Sequence, residues 1–167
     1  MSADGTLDIL KNAILLERRG YSFYSKVAAQ AEDEAVKRFF TLMADEENLH
    51  IQVLADQFKF YQEAKSFKSM DEDTLKSRAL ADRILTDELK QKIGAAEFEA
   101  AAVAAAMAME KSAIQLYSDR ASAAADPDEK KLYAWLADWE GTHLDFLAKL
   151  DREIREAIWF DNSFWPF

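Results

Sequence analysis

A chain of 167 residues without a single cysteine has no disulfide, no thiolate zinc site, no iron–sulfur cluster and no cysteine nucleophile. Its 31 acids outnumber its 21 bases, and the net charge of −10 disfavours nucleic acid and anionic membranes, because phosphates are neutralised by clustered Lys and Arg. Half of the residues are hydrophobic while Gly and Pro number four and two, which points to one all-α domain over residues 1–167, long enough to close a core.

The start, "MSADGTLDIL", has no basic region ahead of an apolar one, so no signal peptide is read. A first helix is predicted over residues 6–31, with Thr6 as N-cap and Leu7, Leu10, Ile14, Tyr21 and Tyr24 recurring at helical spacing. Asp33 caps a second, 33–65, which carries Val36, Phe39, Phe40, Met43, Val53, Leu54 and Phe58. The polar run "KSMDEDTLK" at 68–76 breaks the pattern and opens a connection that extends over 67–94. A third helix is predicted over 95–125. Its run "AAAVAAAMAM" at 100–109 is too short and too weakly hydrophobic to span a bilayer, so no membrane is expected and the setting reads as cytoplasmic. In "ADPDEK", Asp126 is the N-cap of a fourth helix, 127–158, and Pro127 takes the first helical position, where its missing N–H costs nothing. The tail, 159–167, reads "WFDNSFWPF". Its Trp159, Phe160, Phe164 and Trp165 are too apolar to hang free and should pack on the bundle or on a second subunit of a homodimer or higher homo-oligomer. Four long helices, with tight connections inside each pair and a long crossover between the pairs, predict a four-helix bundle.

The two pairs repeat one another. Shifting residues 13–57 by 93 lays them on 106–150 without a gap, and 14 of the 45 positions are identical. "ADEENLH" at 44–50 thereby meets "ADWEGTH" at 137–143, and the chain's only two histidines, His50 and His143, each follow a glutamate by three residues. The matched pairs include Glu17/Glu110, Tyr24/Tyr117, Asp45/Asp138, Glu47/Glu140 and His50/His143. A bundle of two equivalent hairpins has an approximate twofold axis, so its centre is built from both copies.

Helix geometry brings these residues to one level. Glu17 lies 15 residues before the turn near Glu32 and Glu47 lies 15 after it; Glu110 and Glu140 flank Ala125 in the same way. At 1.5 Å rise per residue, all four sit about 22 Å from their turns. Each histidine shares a helix face with the glutamate three residues before it. Four inward carboxylates without counter-charge are expensive through desolvation and mutual repulsion. No base is expected on their side, since Arg18, Arg19 and Lys111 should project elsewhere, so a cationic centre of two metal ions is expected. Of the remaining acids, Glu46 should face away from the site, while Asp45 and Asp138 either orient a histidine or, the preferred reading, are solvated. Glutamates on long helices are usually solvated and a lone histidine is usually structural, but the paired Glu-x-x-His and the equal spacings outweigh that reading.

One Glu from each of two helices plus a Glu-x-x-His from each of the other two resembles the ferritin-like diiron carboxylate proteins, of rubrerythrin type, over residues 6–158. The resemblance implies a ferritin-like four-helix bundle, with Glu17 and Glu110 as terminal ligands, Glu47 and Glu140 bridging, and His50 and His143 each capping one metal. It departs from the rubrerythrin pattern in two places. No CxxC pairs of a rubredoxin-like domain are present, so electrons would come from an external donor. Ala113 stands where an extra carboxylate is usual. The symmetric six-ligand set is closer to that of bacterioferritin, without a clear fifth helix.

The resemblance implies two iron ions as cofactor. The mixed oxygen and nitrogen donors also suit manganese, whereas redox-inert zinc is less fitting. The leading expectation is a diiron oxidoreductase of rubrerythrin-like class that reacts with hydrogen peroxide or O2. A ferroxidase or iron-handling protein (storage or delivery), with iron as substrate, is the alternative. A third is a silent bundle that only binds metal, which would not require six ligands. Tyr24 and Tyr117 lie seven residues past Glu17 and Glu110 on the same stripe; they either hydrogen-bond ligating carboxylates or simply pack in the aromatic core. Gly20, Ala113 and Gly141 are small residues beside the ligands that either open a path to the centre or let helices approach.

Overall fold

A computed structural model describes residues 3–76 and 97–160. Those residues form four long helices and one short one, without strands among the described residues: α1 (Ala3–Gln30), α2 (Glu34–Ala64), α3 (Glu72–Lys76), α4 (Glu97–Ala123) and α5 (Pro127–Phe160). The part of the expected crossover at 77–94, the start of the third helix at 95–96 and the tail aromatics Phe164 and Trp165 lie outside the described residues.

Each long helix buries one stripe. On α1 the buried stripe runs through Thr6, Leu10, Ala13, Glu17, Gly20, Tyr24 and Val27, alternating steps of four and three residues, with Ala28 buried beside its end. That seven-residue period keeps one seam against a neighbouring helix. It also explains why Thr6 is not the N-cap expected from local signals. Thr6 belongs to the buried stripe, and the helix begins one turn earlier, at Ala3.

The other caps follow the sequence. Asp33 sits in extended conformation and its carboxylate accepts the backbone N–H groups of Ala35 and Val36. Asp126 accepts those of Asp128 and Glu129, ahead of Pro127 in the first turn of α5. At the end of α2, Lys65 takes the left-handed conformation (φ 57°) and its N–H closes on the carbonyl of Tyr61. Within the polar run at 68–76 the chain forms α3 after all, because the Asp71 carboxylate accepts both the N–H and the hydroxyl of Thr74.

α1 runs antiparallel to α2, and α4 to α5, each pair joined by a three-residue turn, at 31–33 and at 124–126. Two apolar clusters sandwich the middle of the bundle. One joins Tyr24, Val27, Phe39, Phe40, Met43, Val103, Phe146 and Leu150. The other joins Leu10, Leu54, Phe67, Tyr117, Leu132, Tyr133, Leu136 and Trp139. Since α2 finishes beside the second cluster and α4 starts beside the first, the two hairpins are joined from opposite ends. The segment after α2 is tied down by Gln57, whose side chain both donates to the Lys68 carbonyl and accepts its N–H. Ser69 bonds Asp128 across to the other hairpin. α5 continues two residues beyond the predicted end, and there Trp159 and Phe160 are largely exposed (67% and 76%).

Candidate metal centre

The stripes deliver the six residues singled out by the duplication to one layer between the two apolar clusters. Glu17 on α1, Glu47 and His50 on α2, Glu110 on α4, and Glu140 and His143 on α5 are all buried. They fall into two overlapping quartets, each with one ligand atom per residue within 4.8 Å of the others: Glu17, Glu47, His50 and Glu140, and Glu47, Glu110, Glu140 and His143. Glu47 and Glu140 belong to both. His50 Nδ1 lies 3.1 Å from Glu17 Oε2 and 2.9 Å from Glu140 Oε1. His143 Nδ1 lies 3.0 Å from Glu140 Oε2, 3.7 Å from Glu110 Oε1 and 3.9 Å from Glu47 Oε1. Both imidazoles therefore turn Nδ1 toward the carboxylates.

The tyrosines touch the cluster, and they do so across the hairpins. Tyr24 donates its hydroxyl to Glu110 Oε1 and Tyr117 donates to Glu17 Oε1. Both rings are fully buried and also belong to the aromatic core. Arg18, Arg19, Lys111, Asp45 and Asp138 are exposed.

Glu46 is the exception. Expected to face away, it is buried, and its Oε2 lies 2.5 Å from His143 Nε2 and accepts the indole N–H of Trp139 at 3.2 Å. The reason is its register: it is three residues after Met43 and four before His50, both fully buried, so the inward stripe of α2 is wide enough to include positions 46 and 47 together. A signal was present in the sequence, because the matched position in the second hairpin is Trp139, an aromatic that a solvated face would not carry.

Two further observations bear on whether a metal pair fits. A Cβ built on Gly20 would stand 2.9 Å from both Cδ and Oε2 of Glu47, so the missing side chain is what lets that carboxylate lie against α1. Glu140 Oε1 is buried and lies 2.9 Å from His50 Nδ1 without a well-aligned hydrogen bond. Oxygen and imidazole donors packed together, with a carboxylate oxygen among them that no well-aligned hydrogen bond satisfies, fit cations of intermediate hardness. Gly141, by contrast, has nothing within 4 Å of where a Cβ would be. A cleft of about 410 Å³ runs from exposed Arg19, Ala108 and Ser112, past Leu16, Met109, Gly20 and Ala113, to Glu17, Glu47, Glu110 and Glu140.

Electrostatics within the protein's own groups are strained. Burial, reinforced by the charges of Glu140 and Glu17, pushes the Glu47 carboxyl well up. Burial and Glu140 raise Glu110 to about 7, against the opposing pull of His143. Burial alone would lower His50, but the carboxylates of Glu140 and Glu17 outweigh it and carry it to about 9. His143 is raised in the same way by Glu110, Glu140 and Glu46. Glu140 is the carboxylate kept ionised: burial works against it, but His50 and His143 hold it below the usual range.

Four long helices that turn a Glu from each of two, and a Glu-x-x-His from each of the other two, into a shared layer define a ferritin-like bundle. Its buried Glu/His cluster is compatible with a diiron site. The family model described as Rubrerythrin matches residues 8–151, and the chain belongs to that family. No curated protein and no solved structure matches the chain significantly.

Proposed function

We propose that the chain is a diiron oxidoreductase of rubrerythrin-like class, with hydrogen peroxide or O2 as oxidant and an external electron donor. The observation that carries this reading is the overlap of the two quartets in Glu47 and Glu140. In that reading those two carboxylates would be shared by a pair of metals, Glu17 and Glu110 would each serve one of them, and so would His50 and His143. Two iron ions held there would supply two electrons, enough to take hydrogen peroxide to water; manganese would suit the same donor set, and redox-inert zinc is less fitting.

The chain's own residues do the rest. Tyr24 and Tyr117 hold Oε1 of Glu110 and of Glu17, and so fix the two carboxylates in place; the other oxygen of Glu17 lies 3.1 Å from His50 Nδ1. The clusters of apolar side chains on either side keep bulk water from the layer, which strengthens every charge interaction within it. The cleft is lined by Leu16, Met109, Ala108 and Ala113, with Arg19 as its one charged residue besides the glutamates. Such a passage suits a small neutral oxidant, whereas a hydrated Fe2+ would have to pass the positive charge of Arg19. That is the reason for preferring an oxidoreductase over a ferroxidase or iron-delivery protein. A cytoplasmic setting and a homo-oligomer complete the reading; sedimentation of the full chain tests the latter.

Elemental analysis of protein purified without added iron should give two irons per chain, and one zinc or no metal would sink the proposal. Rapid mixing of the reduced protein with peroxide and with O2, in separate experiments, reads the reaction. Fast oxidation by peroxide with both irons retained is expected, while iron leaving after reaction with O2 would favour the ferroxidase. Glu47→Ala should lose both metals; full occupancy in that variant would refute the bridging role.

A further inference from the structure

The two hairpins share 14 of 45 matched positions, and among the central pairs that differ, Gly20/Ala113 and Leu42/Trp135 included, one sets a carboxylate against an indole: Glu46 and Trp139. These two residues face each other directly, since Trp139 Nε1 donates to Glu46 Oε2. They therefore lie on either side of the approximate twofold axis, in touch across it. The consequence falls unequally on the histidines. His143 has its Nε2 on Glu46 Oε2 at 2.5 Å. His50 Nε2 is buried and has no hydrogen-bond partner. Where a symmetric centre would offer His50 a carboxylate, this one offers two indoles, with the rings of Trp139 and Trp135 at 5.2 Å and 5.6 Å from the imidazole and nearly perpendicular to it.

We propose that Glu46 is a positioning residue for one of the two metal positions only, so that the Glu110/His143 position binds metal more tightly than the Glu17/His50 position. The inference rests on the dimetal reading above. A carboxylate on the outer nitrogen of a ligating imidazole fixes the tautomer, pins the ring, and makes the inner nitrogen a better donor. With Nε2–H held by Glu46, the Nδ1 lone pair of His143 is directed at Glu47, Glu110 and Glu140. His50 must also carry its proton on Nε2 to coordinate through Nδ1, but that N–H finds no acceptor, so its coordinating tautomer is not favoured by any neighbour. Glu47 and Glu140 are common to both positions and do not discriminate between them. What discriminates is the outer nitrogen.

The test is stepwise loading of chelator-treated full-length protein with Co2+, followed by calorimetry and by the ligand-field absorption of the ion. Wild type should load in two steps separated by at least tenfold, the range in which such outer partners act. Glu46→Gln should weaken the tight step by about tenfold to a hundredfold, and leave the weak step and the total of two ions unchanged. His143→Ala should remove the tight step, and His50→Ala the weak one. Trp139→Phe, which removes an N–H donor from Glu46 but keeps a ring beside His50, should leave the order of filling intact. A merely structural Glu46 would lower the melting temperature of Glu46→Gln without changing the ratio of the two steps, and that result overturns the inference. So do two equal steps in wild type, or a tight step that survives His143→Ala. If Glu46→Gln does not fold, the wild type and the two histidine variants decide alone. Fewer than two ions bound by wild type would instead refute the dimetal reading itself.

Discussion

Replacing Gly20 by alanine should separate stability from metal binding. The new methyl carbon would stand 2.9 Å from Cδ and Oε2 of Glu47 and 3.2 Å from Oε1, against an ordinary contact of 3.4 Å or more. The carboxylate therefore has to retreat by about half an ångström, two to three times the roughly 0.2 Å that a metal–ligand distance tolerates. Because Glu47 belongs to both quartets, both ions should be affected, each losing on the order of tenfold to a hundredfold in affinity. The fold should not suffer. Glu47 meets the methyl only with the far end of its side chain, and Gly→Ala inside a helix gains about 0.5–1 kcal/mol. Calorimetric melting in chelator should thus show Gly20→Ala as stable as wild type or slightly more so. Equilibrium dialysis against Mn2+, and anaerobically against Fe2+, should show weakened uptake of both ions. Wild-type affinity for two ions, or loss of one ion alone, would refute the reasoning that Glu47 leans on α1 to reach both.

Tyr24→Phe should leave Glu110 short of a donor and Tyr117→Phe should do the same to Glu17, each costing the chelated protein about 1.5–3 kcal/mol in denaturant melts. The metal effects should be crossed, with Tyr24→Phe loosening the position of the second hairpin; unchanged metal affinity in both variants would count against the hydrogen bonds. In chelator, stability should fall as pH rises from about 6.5 to about 9. The sign follows from His50 and Glu110, whose folded values, about 9 and about 7, are raised, so the native state binds more protons than the unfolded chain and loses that advantage as each group deprotonates. His50 alone contributes on the order of 3 kcal/mol over this window, and a melting temperature independent of pH there would contradict it. Arg120→Ala should destabilise by about 3–5 kcal/mol, because Glu129, held by the Arg120 guanidinium at the mouth of the α4–α5 turn, would be left buried and unpaired; a loss under 1 kcal/mol would show that pair to be effectively solvated.

How far the sequence could be read varied with the kind of signal. α4 is the instructive element. Alanines occupy its outward positions 101, 104, 105 and 108 as well as its inward positions 102, 106, 113 and 121, so apolar periodicity says little about which way it faces. Its register came instead from the shift of 93, which carries the clear stripe of α1 onto it. The same shift, with the rise of a helix, is enough to bring six residues from four helices to one layer. Where a residue's role depends on a neighbour outside its own hairpin, local reading was weaker. Tyr24 and Tyr117 could be placed on the inward stripe, but not matched to the carboxylates they bond, since those lie on the opposite hairpin. Glu46 departs from its expected outward position because adjacent helix positions, about 100° apart, need not put one of the two in water. A wide stripe holds both, and only Trp139 at the matched position hinted at it. Thr6 failed for the opposite reason, a good capping residue overruled by a seam that needed its place.

The crossed tyrosine bonds carry one more consequence. Each hairpin reaches out with its tyrosine and receives with its first glutamate, so a hairpin is complementary to a copy of itself turned about a twofold axis. That is the interface of an isologous dimer, here written on a single chain. In a true dimer both halves are encoded once, and any change at the axis appears twice. A glutamate at position 46 would then confront another glutamate, and a tryptophan another tryptophan. Covalent linkage of the halves lifts that obligation, and the Glu46–Trp139 contact is a pairing that no homodimer of hairpins could make.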